Sequence, residues 1–210
     1  MAAGVEALAR QRANEAEGPG YIHCWHESLA VAMAMGYTRQ TGRLQALLLH
    51  AGVGLLQASM ALEGANQGEI PMLVCSGGSS TYGEDPDFDP GWQWMSNHGI
   101  VGGANRLVDS VVKWSGQVSS PPTLYDTLCR AGELALRVPK GPTYLNIPLE
   151  TMLHEWTSPS RTRKVPAPPK TQPEMAAIEL VAELIASSRS PLAVTDTAGR
   201  GVETFGHLVE

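Results

Sequence analysis

The sequence predicts an α/β fold, a mostly parallel, doubly wound sheet followed by the start of a second α/β domain. Three observations lead there. Short apolar runs alternate with Ala-containing stretches of helical periodicity. The runs are nearly unbroken by polar residues, as strands covered on both faces require. Gly and Pro punctuate the junctions, so strand–helix–strand units follow one another closely.

The elements follow in order. Residues 3–16 read as a helix, stopped by Gly18-Pro19-Gly20. Residues 21–24 form a short run suited to a buried strand. From His26 to Thr41 there is no Pro, and Leu29, Ala30, Met33, Ala34 and Tyr37 recur at helical spacing. Gly42 stands where a C-cap is expected. Residues 44–49 are a nearly continuous apolar strand, broken only by Gln45, and run into Ala51-Gly52-Val53-Gly54. A helix over 55–66 and a strand over 70–75 come next. Residues 76–99 hold five Gly, two Pro and two Trp without periodicity. A loop of that length in a packed domain is usually functional or mobile. Residues 111–115 read as a short strand, 123–138 as a helix with Leu124, Leu128, Ala131, Leu134 and Ala135 on one face, and 143–147 as a strand. Residues 156–173 are Pro-rich and locally basic, the signature of a linker. A helix over 175–187 and a strand over 191–195 open the second domain. The domains are thus 1–155, a linker 156–173, and 174–210.

Composition bounds the function. Of 210 residues, 43% are hydrophobic and 17% charged, enough for a core and against wholesale disorder. The net charge of −6 argues against a nucleic-acid-binding surface. Three widely spaced Cys cannot all pair, so reduced thiols and a cytoplasmic location are expected. No apolar run approaches a membrane span, and no signal-peptide core is present.

Few residues stand out for chemistry. Glu27 follows a strand and opens a helix, where the helix dipole favours a carboxylate; an ordinary first-turn Glu would look the same. Gly52-Val53-Gly54 lies between strand and helix, where open α/β sheets bind ligands. It serves equally as a plain tight turn. As a dinucleotide fingerprint it is incomplete, because position 57 is Gln. His23 and His26 lack a third ligand of convincing spacing, so no metal is expected. Asp85-x-Asp87-x-Asp89 fails as a calcium loop, having Pro90 at the sixth place and Ser96 at the twelfth.

Taken together, the segments resemble a known family. HESLAVAMAMGYTRQTGR (26–43), LLLHAGVGLLQASMALEGANQGEIPMLVCSG (47–77), VVKWSGQV (111–118) and RVPKGPTYLNIPLE (137–150) resemble, in order and spacing, the amino-terminal pyrimidine-binding domain of thiamine-diphosphate enzymes of the acetolactate synthase and benzoylformate decarboxylase group. The resemblance runs over residues 20–150. The segment after 174 is similar to the start of the family's central domain.

The resemblance implies a 2-oxo-acid decarboxylase or carboligase, a lyase or transferase, with thiamine diphosphate as cofactor. Glu27 falls at the family's glutamate, which hydrogen-bonds N1′ of the aminopyrimidine ring and promotes loss of the thiazolium C2 proton. Desolvation raising the pKa of that carboxyl would serve this role. His50, Gly52 and Gly54 are implied near the cofactor or substrate, His50 being equally readable as a strand-end histidine. Gln57 stands where many relatives have Asn. Residues 76–99, with Trp92, Trp94 and His98, are expected to form the variable wall of the site. No Gly-Asp-Gly occurs, so the family's magnesium and diphosphate site is expected in a diphosphate-binding domain, of the same or another chain. The chain reads as lacking the family's first strand and as cut within the central domain. A dimer or tetramer is implied. A flavin (FAD) would belong to the central domain and is not assigned. Two alternatives stay open: a non-catalytic interaction subunit of the same fold, and a nucleotide-binding oxidoreductase domain using Gly52 and Gly54.

Overall fold

The computed structural model describes residues 20–81, 89, 91, 103–155, 157, 159–169, 171–194 and 206–207. The chain divides into two units, Met1–Pro168 and Pro169–Glu210.

In the first unit, helix α1 spans Glu27–Thr41. His26 caps it, with extended backbone and with Nδ1 accepting from the Ser28 amide at 3.2 Å. Gly42 closes it at φ 68°, its amide donating to Thr38 O at 2.8 Å. That left-handed conformation suits glycine, which carries no Cβ to clash. Strand β1 is Gln45–Leu49, helix α2 Val53–Gln67 and strand β2 Met72–Gly78. The short helix α3, Ala104–Val108, precedes β3, Trp114–Gln117. A 3-10 turn, Pro121–Thr123, leads into α4, Leu124–Leu136, then β4, Pro142–Pro148, and α5, Leu149–Leu153.

The four strands form one parallel sheet in the order β1-β2-β4-β3. Gln45 lies opposite Met72, Met72 opposite Pro142, and Trp114 opposite Thr143. Alternation along the strands builds two cores. Leu47, Leu49, Met72, Val74 and Tyr144 join Val31, Leu55, Ala58, Leu62 and Val108 on the face of α1, α2 and α3. Cys75, Leu145 and Val118 pack with Leu73, Leu124, Leu128 and Ile147 on the face of α4. Leu55 and Leu62 are fully buried; truncating either to Ala costs about 2–5 kcal/mol. The hydroxyls of Ser76, Tyr144 and Thr143 are paired inside the sheet. The Ser76 and Tyr144 hydroxyls lie 2.7 Å apart, and Thr143 Oγ1 donates to Ala131 O at 3.1 Å.

Some sequence expectations need correction. Residues 21–24 form no strand; Ile22 and His23 are exposed. A strand needs a ladder partner, and β1 is an edge strand among the described residues, paired with β2 alone. In α1 the core-facing side chains are Val31, Ala34 and Thr38, whereas Leu29, Met33 and Tyr37 are largely exposed. The smaller residues face α2 and permit close approach of the helices. β2 begins at Met72 and runs on to Gly78, and β3 sits three residues later than expected at its start. The helices α3 and α5 are five residues each, too short to show a period. Residues 191–194 are not a strand, and Thr195 lies outside the described residues, as do the predicted helix 3–16 and most of 82–102.

The second unit contains helix α6, Met175–Ser187, over the predicted residues. No helix among the described residues is long and apolar enough to cross a membrane.

Candidate functional site

In a parallel sheet, ligands bind beyond the carboxyl ends of the strands. His50 follows the last residue of β1 at that end. The next turn carries Gly52 at φ 61°, ψ −86°, a backbone that side-chain-bearing residues avoid. Its carbonyl accepts from Leu56 N at 2.9 Å and starts α2. The first turn of α2 therefore points at the first turn of α1.

Glu27 meets Gly54 there. A Cβ built on Gly54 would lie 2.7 Å from Glu27 Oε1, 3.2 Å from Glu27 Cδ and 2.8 Å from His50 Cβ. A side chain at that position would have to displace Glu27 or His50, so close approach favours glycine. Ser28 Oγ donates to Gln57 O at 2.5 Å and ties the two helix starts together. His50 Nδ1–H donates to Ala51 O at 3.0 Å, which in the neutral tautomer makes Nε2 the ring's acceptor.

The structure brings Glu27, His50 and Gly54 into one contact. Gly52 shapes the turn behind them. Gln57 enters through its carbonyl, while its side chain is exposed. Glu27 itself is half-buried. Glu27 and His50 line a groove of about 720 Å³ beside α1 and β1, with Trp25, Ala30 and Leu48 among its walls. Trp92, Trp94 and His98 lie outside the described residues.

Sequence reasoning passed over a second polar centre, at the carboxyl ends of β2 and β4. Glu150, in the first turn of α5, is 2% exposed. Its Oε1 accepts from the Thr81 amide at 3.0 Å and from the Thr81 hydroxyl. Asn146 Nδ2 donates to Gln117 Oε1 at 2.8 Å. The Asn146 side chain also closes over Gly78, where a Cβ would meet Oδ1 at 2.5 Å. Glu150 Oε2 and Asn146 Oδ1 are buried and have no hydrogen-bond partner among the described residues. Ser28, Asn146 and Glu150 lie within segments that carry the resemblance, but none of them was given a role from sequence.

Burial perturbs two groups on the interior strands. It pushes the Cys75 thiol up to about 12. It likewise pushes the Tyr144 phenol up to about 12, against the opposing hydrogen bond from Ser76.

Comparison with known proteins relates this arrangement to a family. Residues 4–100 match the family model described as thiamine pyrophosphate enzyme, N-terminal TPP binding domain. The chain is 27% identical over 195 residues to a benzoylformate decarboxylase of Pseudomonas aeruginosa, covering 90% of this chain and 34% of that one. It is 31% identical over 137 residues to the acetolactate synthase large subunit of Haemophilus influenzae, covering 64% of this chain and 22% of that one. The fold is shared with the crystal structure of benzoylformate decarboxylase from Polynucleobacter necessarius. There the TM-score is 0.64 at 22% identity, over 82% of this chain and 30% of that one. The chain spans about a third of the length of the curated relatives it matches. Sequence and fold agree: residues 4–100 match the N-terminal TPP binding domain of the thiamine pyrophosphate enzymes, and the chain is similar to enzymes of that family.

Proposed function

We propose that residues 1–155 are the pyrimidine-binding part of a thiamine-diphosphate-dependent 2-oxo-acid decarboxylase or carboligase resembling acetolactate synthase, and that 174–210 begin its central domain. The observation that carries this reading is the contact of Glu27 Oε1 with Gly54 at the facing helix starts. A glycine there lets the two helix starts approach, with a half-buried carboxylate and His50 beside it. The groove that Glu27 and His50 line has room for a flat heteroaromatic ring, so these residues fit the cofactor.

Glu27 holds the ring by a hydrogen bond to N1′ and keeps a proton at that atom. Gly52 and Gly54 let the backbone approach closely, and the Ser28–Gln57 bond keeps the two helix starts in register. His50 faces the same groove and is placed to orient the substrate. Bound thiamine diphosphate supplies the carbanion stabilisation by which a 2-oxo acid loses carbon dioxide. Magnesium and the diphosphate are held by a diphosphate-binding domain of the same or another chain, in a homo-oligomer.

The nucleotide-binding alternative meets an electrostatic objection. A pyrophosphate would have to sit at the start of α2, where Glu27 already places a carboxylate.

Calorimetric titration of thiamine diphosphate and magnesium tests the proposal, with the chain alone and with a relative's diphosphate-binding domain added. Binding and 2-oxo-acid turnover in the mixture, both lost in Glu27→Gln, are expected. Unchanged turnover in Glu27→Gln overturns the assignment of Glu27. Absence of binding in every mixture with a folded chain supports the non-catalytic interaction subunit instead.

A further inference from the structure

Residues 159–165 have the composition of a free linker, yet one hydroxyl holds them. Tyr125 Oη donates to the Arg163 carbonyl at 3.3 Å and accepts from the Arg163 amide. A single phenol thus satisfies both backbone groups of one residue. The neighbouring Asp126 adds an ion pair, Oδ1 to Arg163 Nη2 at 3.9 Å. That pair is weak, because both side chains are more than half exposed. Two turns beyond Tyr125, on the same face of α4, Val165 lies over Gly132, its Cγ2 3.7 Å from the point where a Cβ would sit. The segment therefore follows one stripe of α4.

Little apolar surface reinforces this attachment. Arg161, Thr162, Arg163 and Lys164 are exposed, and none of residues 159–165 belongs to either core. Where the segment begins, Pro159 and His154 face Pro121, Pro122 and Tyr125 across a cleft of about 590 Å³. Burial contributes little to holding a segment so placed. The two phenol bonds are left as the main attachment.

We infer that residues 159–165 form a strap latched to α4 by the Tyr125 hydroxyl, and that the latch opens as a local unit without loosening the sheet. While latched, the strap is part of the first unit, in accord with the boundary of that unit at Pro168. When it opens, the strap backbone and Tyr125 face solvent, and the Pro-rich stretch before α6 gains the length of the strap. The latch is a property of this chain alone, independent of the proposed function.

Limited trypsin digestion of the 210-residue chain tests the latch, because Arg161, Arg163 and Lys164 are cleavage points inside the strap. Cleavage there requires opening, so its rate follows the open population. Tyr125→Phe keeps the ring and removes both bonds. Cleavage within 161–164 should rise about tenfold or more in that variant, and exchange of the Arg163 amide should accelerate with it. Asp126→Asn removes only the exposed ion pair and should change the rate by less than about twofold. Exchange at the Val74 and Cys75 amides should stay as in the parent chain. Equal cleavage of Tyr125→Phe and the parent overturns the latch, as does an Asp126→Asn rate that matches or exceeds that of Tyr125→Phe. Faster exchange at Val74 in a folded Tyr125→Phe overturns the local opening. Should Tyr125→Phe not fold, Arg163→Pro decides, because it removes the amide donor at an exposed position. Faster cleavage at Arg161 and Lys164 then supports the latch, and an unchanged rate overturns it.

Discussion

Oε1 of Glu27 lies 2.7 Å from the point where a Cβ on Gly54 would sit. The two residues come from different helices, and a side chain added at position 54 must displace Glu27 or His50. The carboxylate also rests against the start of α2, where unsatisfied amides and the helix dipole favour negative charge. One missing methyl group thus links backbone geometry, electrostatics and the proposed chemistry.

Gly54→Ala should separate site geometry from fold. The added Cβ must push back Glu27 or the His50 Cβ, which is 2.8 Å away. Ala is the better helix former by about 1 kcal/mol, so helical content by circular dichroism should be retained. Affinity for thiamine diphosphate in the reconstituted enzyme should fall about tenfold or more, since cofactor orientation depends on sub-ångström placement. Affinity equal to that of the parent chain would show that the position of Glu27 is not critical.

The sequence made the sheet legible because strand–helix alternation survives in a buried parallel sheet. It placed His50, Gly52 and Gly54 at one turn, because that turn lies between two strongly patterned elements, and Glu27 at the head of the preceding helix. It could not show which stripe of α1 faces the core. Leu29, Met33 and Tyr37 fall at helical spacing as Val31, Ala34 and Thr38 do, and packing in the fold decides between them. Residues 21–24 misled because apolar character alone does not supply a ladder. Glu150 and Thr81 meet over 69 residues of separation, which no local pattern encodes.

Gly78→Ala tests how tightly β2 and β4 pack at their carboxyl ends. The Cβ would lie 2.5 Å from Asn146 Oδ1 and 2.7 Å from Nδ2. Asn146 is 4% exposed and holds Gln117, so it has little room to turn away. Urea denaturation should show a loss of about 1–3 kcal/mol, as overpacking in a core usually costs. A midpoint equal to that of the parent chain would mean that the Asn146 side chain swings aside freely.

The buried hydroxyl pair of Ser76 and Tyr144 should behave asymmetrically under mutation. Each residue is 2% exposed or less, and the oxygens are 2.7 Å apart. Tyr144→Phe leaves Ser76 with its weaker contact to Gly77 O at 3.2 Å, and should cost about 1 kcal/mol. Ser76→Ala strands the Tyr144 hydroxyl in the apolar core and should cost about 1–3 kcal/mol. The double variant should be less destabilised than the sum of the two. Strict additivity in a double-mutant cycle would show that the two hydroxyls do not interact.

Cys75 sets an alkaline limit on the fold. Its thiol ionises at 9.0 when unburied and is pushed up to about 12 by burial in the core. The unfolded chain therefore releases a proton that the folded chain retains as pH rises past 9. Unfolding then takes up no compensating proton, and stability falls with rising pH. The contribution is fully present below pH 9.0 and is lost progressively toward about 12. Tyr144 adds a similar loss from 10.0 toward about 12. Urea titrations at stepped pH should show the midpoint declining from near pH 9, and in Cys75→Ala the decline should begin nearer pH 10, with Tyr144 left to drive it. Thiol alkylation followed by mass spectrometry supplies an independent check, because the nucleophile is the thiolate. At pH 8, half-buried Cys24 and Cys129 should label first, and buried Cys75 only as the domain opens. Labelling of Cys75 as fast as Cys24 under native conditions would show that β2 is accessible to solvent, and the alkaline dependence would then have to be absent as well.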